Sequence, residues 1–504
     1  MALPALGLGV PALMATVIGE RTDTVGKVSF TNPVHAPPLA ESRIDNDGRR
    51  VFDLTIRQGR REFIAGRRSP AWGVNGDYLG PTLRAGRGEK VLVNVSNDTG
   101  EYTSLHWHGM HLPAAMDGGP HQLIEPGATW SPTWEIDQPA ASLWYHPHLH
   151  GSTAQHVYRG VAGMFLIDDE AMAGQLPGQY GVDDVPLIVQ DRRFTDGVLD
   201  LDEPMAGTTG FLGDELLVNG VRGPYLAVTT ERIRLRLLNG SNARVYNFRF
   251  ADGRSFHQIA SDGGLLSAPH TTGQMQLAPG ERAEIVVGIE PGERVVLRSE
   301  DPATGAGFVQ HDGGPDRFDV LELRAAPELT ESPPIPARLA DVPRTAEASA
   351  TRTRTFELAE HMINGRLMDM GRIDAEARKG TTEIWNVRSG DGTLHSFHVH
   401  DVQFQVLSLN GEQPPPELSG WKDTVLLPPG TAARLIMRFA DYSDPDIPYM
   451  FHCHMLYHED QGMMGQFVVL GPGERAGRGS GPHRTAVGHQ AAAELTPRRG
   501  RPTG

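Results

Sequence analysis

Cysteine is nearly absent from this chain: among 504 residues there is one, Cys453. A lone thiol excludes a disulfide framework and a four-thiolate zinc site. Long hydrophobic runs are missing as well, so no stable membrane insertion is expected. The most apolar stretch, MALPALGLGVPALMATVIGE at residues 1–20, has no Lys or Arg, and its two prolines and three glycines oppose a membrane helix. It reads as the hydrophobic part of an export signal without its basic start, truncated or misassigned, and points to a secreted, periplasmic or envelope location. Positive charge is in deficit. A net charge of −16 argues against nucleic acid or an anionic membrane as partner and mildly favours cationic or neutral substrates. Helix-favouring runs are scarce, whereas 59 Gly and 38 Pro suit many turns between short strands.

Alternation at period two is what the chain has instead. VFDLTIRQ from Val51, KVLVNVSND from Lys90, AEIVVGI from Ala283, EIWNV from Glu383, FQVLSL from Phe404 and ARLIMRF from Ala433 all read as strands. In RIRLRLLNG from Arg232, Ile233, Leu235 and Leu237 share one face, and Arg232, Arg234 and Arg236 the other. Turns such as Asn239-Gly240, Asn410-Gly411 and Pro429-Gly430 separate such runs. The expected class is all-β, built of sandwiches or barrels, and the length suits about three domains. Composition divides the chain into an N-terminal segment (1–44), a first domain (45–170), a second (181–325), a Pro- and Ala-rich linker (326–351), a third domain (352–471) and a tail of disordered composition (472–504).

The chemistry-bearing residues sit in the first and third domains. FHCHMLYHEDQGMMG, from Phe451, encloses the only thiol between His452 and His454, and continues to His458 and Met463. A thiolate with imidazoles and a distant thioether is the donor set of a blue-copper electron-transfer centre. Cys453 and His458 supply two donors, and Met463, with Met464 as its competitor, the weak axial position. His452 and His454 point away from Cys453 on an extended strand and suit a second metal cluster. Four separate His-X-His pairs recur, His106/His108, His146/His148, His398/His400 and His452/His454, the second running on through Leu149 to His150. Residues two apart on a strand share a face, so each pair offers both rings in one direction. His257, His270 and His311 in the middle block stand alone and read as surface or core residues.

HWHG from His106, HPHLHG from His146, HSFHVH from His395 and HCHMLYHEDQGMM from His452 resemble, in order and spacing, the four copper motifs of the three-domain multicopper oxidases. The resemblance spans roughly residues 45–470, and MDGGP from Met116 and GWKDT from Gly420 look most like the bacterial branch of cuprous oxidases, laccases and bilirubin oxidases. It implies three consecutive cupredoxin-like Greek-key domains and four copper ions. By the family's pattern, His395, Cys453 and His458 bind the type 1 copper with Met463 axial. His106 and His398 bind the type 2 ion, and His108, His146, His148, His400, His452 and His454 the type 3 pair. Ser396 stands where many relatives have Pro.

The implied activity couples one-electron oxidation of a small donor to four-electron reduction of O2 to water. Asp117 and Glu459 occupy positions where relatives carry acidic residues near the cluster, and are expected to deliver protons or to orient ligands. His111, His121, His150 and His156 match no ligand position, and Trp107 and Trp144 read as packing residues. The donor is a phenol or aromatic amine in the laccase-like reading. A Cu(I) donor, as in cuprous oxidases, is the alternative, with HMINGRLMDMG from His361 as a modest methionine cluster; a bilirubin-like donor stays open. Some proteins of this fold have lost their ligands and serve as envelope scaffolds in cell division, and the complete ligand set argues against that role. Oligomeric state is not legible.

Overall fold

The computed structural model describes residues 21–168, 174–201, 209–302 and 313–477. The apolar N-terminal stretch, His311, and residues 478–504 of the tail, with His483 and His489, lie outside them. The strands gather into paired sheets around three apolar cores.

In the first unit, Arg50–Ile64 pairs in parallel with Lys90–Asp98 and carries Ser42–Ile44 and Arg67–Val74 as antiparallel neighbours. A four-stranded sheet faces it, ordered Leu83–Gly86, Gly163–Asp168, Ala141–His146, His106–His108. Val91, Val93 and Val95, alternating along Lys90–Asp98, are fully buried against Phe52, Trp107 and Phe165. The middle unit packs a six-stranded sheet on a seven-stranded one. Its first strand, Asn32–Pro33, runs parallel to Pro224–Thr230, so residues near the start of the described chain close the middle unit. The third unit has two five-stranded sheets, one of which orders Ala375–Arg378, Met464–Leu470, Asp444–Cys453, His395–Val399 and Thr424–Leu427. That order places the histidine strand beside the cysteine strand.

The strand Arg232–Asn239 departs from simple alternation. Ile233, Leu235 and Leu237 are buried as expected, but Arg236 is only 4% exposed. Its guanidinium bonds Asp184 and Glu284, and also Ser142 of the first unit, so this face is an interface rather than a solvent surface. The Pro- and Ala-rich stretch is also packed: the strand Phe318–Thr330 runs into it, and Leu339 is buried against Ile259 and Val286.

Candidate metal centres

Both outer units present their His-X-His pairs in the same way, on two adjacent antiparallel strands. His106 stands opposite His146 in the first unit, and His398 opposite His452 in the third. The two arrays meet, and eight imidazoles with at most 1% exposure form overlapping groups: His106, His108 and His398; His108, His146 and His454; His148, His400 and His452. Three of the pairs, His146/His148, His398/His400 and His452/His454, are therefore divided between groups rather than aimed in one direction, while His106 and His108 meet in one group. In three of the four pairs the strand ends at, or one residue after, the first histidine, so the second ring follows a different backbone direction.

Outer contacts set which nitrogen faces inward. The His400 Nδ1–H donates to Asp117 Oδ2 at 2.7 Å, and His452 Nδ1–H to its neighbour Cys453 O at 3.1 Å. Their Nε2 atoms and that of His148 then converge, at 3.1, 3.2 and 3.3 Å from one another. Lone pairs that close repel, unless a cation draws them together. His106 and His398 donate Nδ1–H to the carbonyls of Asp117 and Asp423, each at 2.9 Å, which leaves their buried Nε2 atoms with no protein partner. His146 donates to Pro147 O at 2.8 Å, and its Nε2 faces His108 Nδ1 at 3.4 Å. Neither ring nitrogen of His454 has a protein partner. Burial, and then the neighbouring imidazoles, push His146, His148, His400, His452 and His454 well below the usual histidine range. His108 is lowered in the same way, even though Asp423 works against the shift. Neutral imidazoles with unpaired inward nitrogens are the form that binds a transition metal.

The thiol site lies in the third unit's core. Cys453 Sγ is 3.5 Å from His458 Nδ1 and 3.8 Å from His395 Nδ1. His395 Nε2–H donates to Asp391 Oδ1 at 3.0 Å, which turns its Nδ1 lone pair toward the sulfur. Burial opposes ionisation of Asp391, but the bonds from His395 and the Glu360 amide outweigh it and hold the carboxyl well below its ordinary range. Burial pushes the Cys453 thiol up to about 12, so a metal bound here must displace its proton. Met463 is fully buried in the same apolar cluster as Cys453, and its carbonyl accepts the Cys453 N–H at 3.1 Å. Met464 instead lines a cavity of about 250 Å³ with Phe356, Arg366 and Arg372. Because Cys453 lies between His452 and His454, one strand end joins the two kinds of site.

The two expected carboxylates are buried beside the cluster. Asp117 bonds His400, and its Oδ1 lies 3.4 Å from His106 Nδ1. Glu459 accepts a hydrogen bond from Thr153 Oγ1 at 2.6 Å and stands 3.4 Å from His148 Nδ1 and 3.2 Å from His452 Nδ1. Burial, with Asp460 alongside, raises its carboxyl well above the usual range. Outside the groups, His111 links Asp401 and Asp441, His121 faces Gln466 Oε1 at 2.8 Å, His156 packs on Trp72, and His150 is exposed. Trp144 stacks on His146 with centroids 4.2 Å apart, while Trp107 lies in the first core. Sequence reasoning missed Asp391, Asp423 and Arg282. Asp423 stood in GWKDT, a segment noted only for its resemblance; nothing local marked the others.

The multicopper oxidase family pattern matches residues 55–172 and again 335–472. The chain is 39% identical over 475 residues to the cell division protein FtsP of Escherichia coli (strain K12), covering 92% of this chain and 96% of that one. It is 36% identical over 445 residues to the multicopper oxidase mco of Staphylococcus epidermidis, covering 87% and 92%. A solved laccase-like multicopper oxidase, CueO from the lignin-degrading bacterium Ochrobactrum sp., superposes with a TM-score of 0.80 at 38% identity, over 87% of this chain and 100% of that one. A thiol between two imidazoles, three groups of converging imidazoles and these matches have one common explanation: the chain belongs to the multicopper oxidase family.

Proposed function

We propose that this protein is a laccase-like oxidase that takes single electrons from phenols or aromatic amines and reduces O2 to water with four copper ions. In this reading His395, Cys453, His458 and Met463 hold the type 1 ion, and His106 and His398 the type 2 ion. His108, His146 and His454 hold one ion of the type 3 pair, and His148, His400 and His452 the other. Copper bound at these positions supplies one-electron redox cycling and binding of O2. Cys453 connects the donor side to the cluster through its own main chain, since both its neighbours are cluster imidazoles. His395 and His458 present the electron entry. Glu459, its carboxyl raised by burial, holds a proton within 3.4 Å of the outer nitrogens of His148 and His452. Asp117 orients His400 and, with Glu459, feeds protons toward the cluster. Work in an exported compartment agrees with the apolar N-terminal stretch. No helix among the described residues is long and apolar enough to cross a membrane.

The observation that carries this reading is the set of buried inward-facing imidazole nitrogens beside the His–Cys–His site. A second reading, a Cu(I) donor, draws on the HMINGRLMDMG turn, whose His361 ring lies 5.0 Å from that of His458. The kinship with FtsP makes a copper-free scaffold the opposing reading. Protein expressed with ample copper is expected to be blue and to carry about four copper ions per chain. Cys453→Ser should lose the colour. Side-by-side turnover of a phenol, an aromatic amine, Cu(I) and bilirubin, with oxygen uptake, ranks the donors. Colourless protein without copper sinks the oxidase reading.

A further inference from the structure

The middle unit gives no imidazole to any of the groups, yet its turn at 279–282 reaches them. Gly280 has φ +88, and a Cβ there would lie 3.0 Å from the His454 ring. Pro279 O accepts the Ser396 hydroxyl at 2.9 Å, and Ser396 O accepts the His454 N–H at 2.5 Å. Next to this turn the side chain of Arg282 is fully buried.

All five N–H donors of Arg282 are used, on acceptors from all three units. Nε donates to Ser142 O at 2.9 Å, Nη1 to Gly280 O at 3.1 Å and Nη2 to Asp262 O at 3.0 Å. The remaining two form a fork on Asp423, Nη1 to Oδ1 at 2.8 Å and Nη2 to Oδ2 at 2.7 Å. Asp423 Oδ1 in turn accepts from His108 Nε2 at 3.0 Å, with Thr424 Oγ1 also 3.1 Å from that nitrogen. The Asp423 carbonyl seats His398.

His108 is thereby the inverted member of the cluster. His106, His146, His398, His400 and His452 each turn Nδ1 to an outer acceptor and Nε2 inward. His108 turns Nε2 outward to Asp423 and points Nδ1 at His146 Nε2. Gly109, next in the HWHG motif, makes room for the device: with φ +84, a Cβ there would fall 2.6 Å from both Arg282 Nη2 and Asp423 Oδ2.

We propose that Arg282 is a positioning residue for the histidine cluster: by clamping Asp423 it fixes the ring orientation and tautomer of His108 and the seat of His398. A unit that carries no ligand thus governs how the cluster holds metal. The inference rests on the copper-oxidase reading, and its test separates the two. Wild type, Arg282→Lys, Arg282→Gln and Gly109→Ala, whose methyl presses on the same ion pair, are loaded with copper. Blue absorption reports the His395–Cys453–His458 site and the integrity of the third unit. Chelator titration and the paramagnetic resonance of the type 2 ion report the cluster.

The expected result is an intact blue band, an altered type 2 signal, and cluster copper lost at roughly tenfold or more lower chelator concentration. Arg282→Lys, which keeps the charge but not the fork, should fall between wild type and Arg282→Gln. Wild-type copper retention and resonance in the blue variants overturn the proposal. So does joint loss of the blue band and the cluster in every variant, which makes Arg282 a general folding residue. A wild type that takes up no copper overturns the oxidase reading instead.

Discussion

Two nests of buried polar side chains, similar in burial, are bonded in opposite ways. Around Arg236, at the seam of the first and middle units, every charge has its answer. The guanidinium bonds Asp184 twice and Glu284 once, Glu284 also takes Arg234 and the Ser142 hydroxyl, and Arg236 reaches Ser142 itself. Between the first and third units, six of the eight imidazoles satisfy an outer nitrogen, and inner nitrogens are left facing each other. The difference teaches how to read buried polarity. A nest that closes on itself is a structural joint, whereas one that leaves converging nitrogens unsatisfied is built for something it binds.

The comparison can be broken most forcibly at the joint. Arg236→Met leaves Asp184 and Glu284 without their central partner, and should cost about 3–5 kcal/mol in denaturant unfolding. The ligand groups themselves would be unchanged, so copper taken up by the folded fraction should match wild type. A loss below 1 kcal/mol would mean that the joint is replaceable.

Asp117→Asn is the next largest test, on the side of the cluster. It keeps the shape and weakens the acceptor for His400, so reoxidation by O2 should slow about ten- to a hundredfold while type 1 reduction by a donor proceeds as before. Stopped-flow absorbance in the two half-reactions separates the steps, and unchanged reoxidation removes the proposed role.

A pH test follows from His111, which links the first and third units through Asp401 and Asp441. Burial by itself would lower its pKa, but Asp401, and then Asp441, outweigh that and raise it to about 9 from 6.5. A folded pKa above the unfolded one stabilises fully below the unfolded value and is lost as pH rises through the folded value. Stability should therefore fall between about pH 6.5 and 9, by at most about 1.4 kcal/mol per pH unit, with the exposed Asp441 contribution weakened by salt. His111→Gln should flatten this part of the melting-temperature profile; an equally steep profile in the variant would reject the assignment.

The smallest effect is the most diagnostic. Neither ring nitrogen of His454 is partnered within the protein, so His454→Leu in metal-free protein should change stability by less than about 1 kcal/mol, or raise it. The same variant should lose cluster copper. A large destabilisation of the metal-free form would show that His454 belongs to a self-sufficient network after all.

Much of the site was legible because its signals are local. A thiol between two histidines and the repeated His-X-His spacing survive in any strand arrangement, and Ile233, Leu235 and Leu237 fill the core as alternation demands. Less legible were residues whose meaning lies across the fold. Arg236 reads as a solvent-facing charge until its strand is laid against Ser142 and Asp184. Arg282 and Asp423 lie far apart along the chain and meet only where three units join. Asp391 is four residues before His395, yet nothing in GDGTLH marks it as the acceptor of that ring's outer proton.

Side-chain chemistry was thus set by the sequence alone: which residues carry soft sulfur and which carry imidazole. Donor direction was decided only in the tertiary structure. Each imidazole has two nitrogens, and the one that faces inward depends on which acceptor the surrounding units bring to the other. For His108 that acceptor is a carboxylate held by an arginine of the middle unit, a pairing that exists only once all three units have packed.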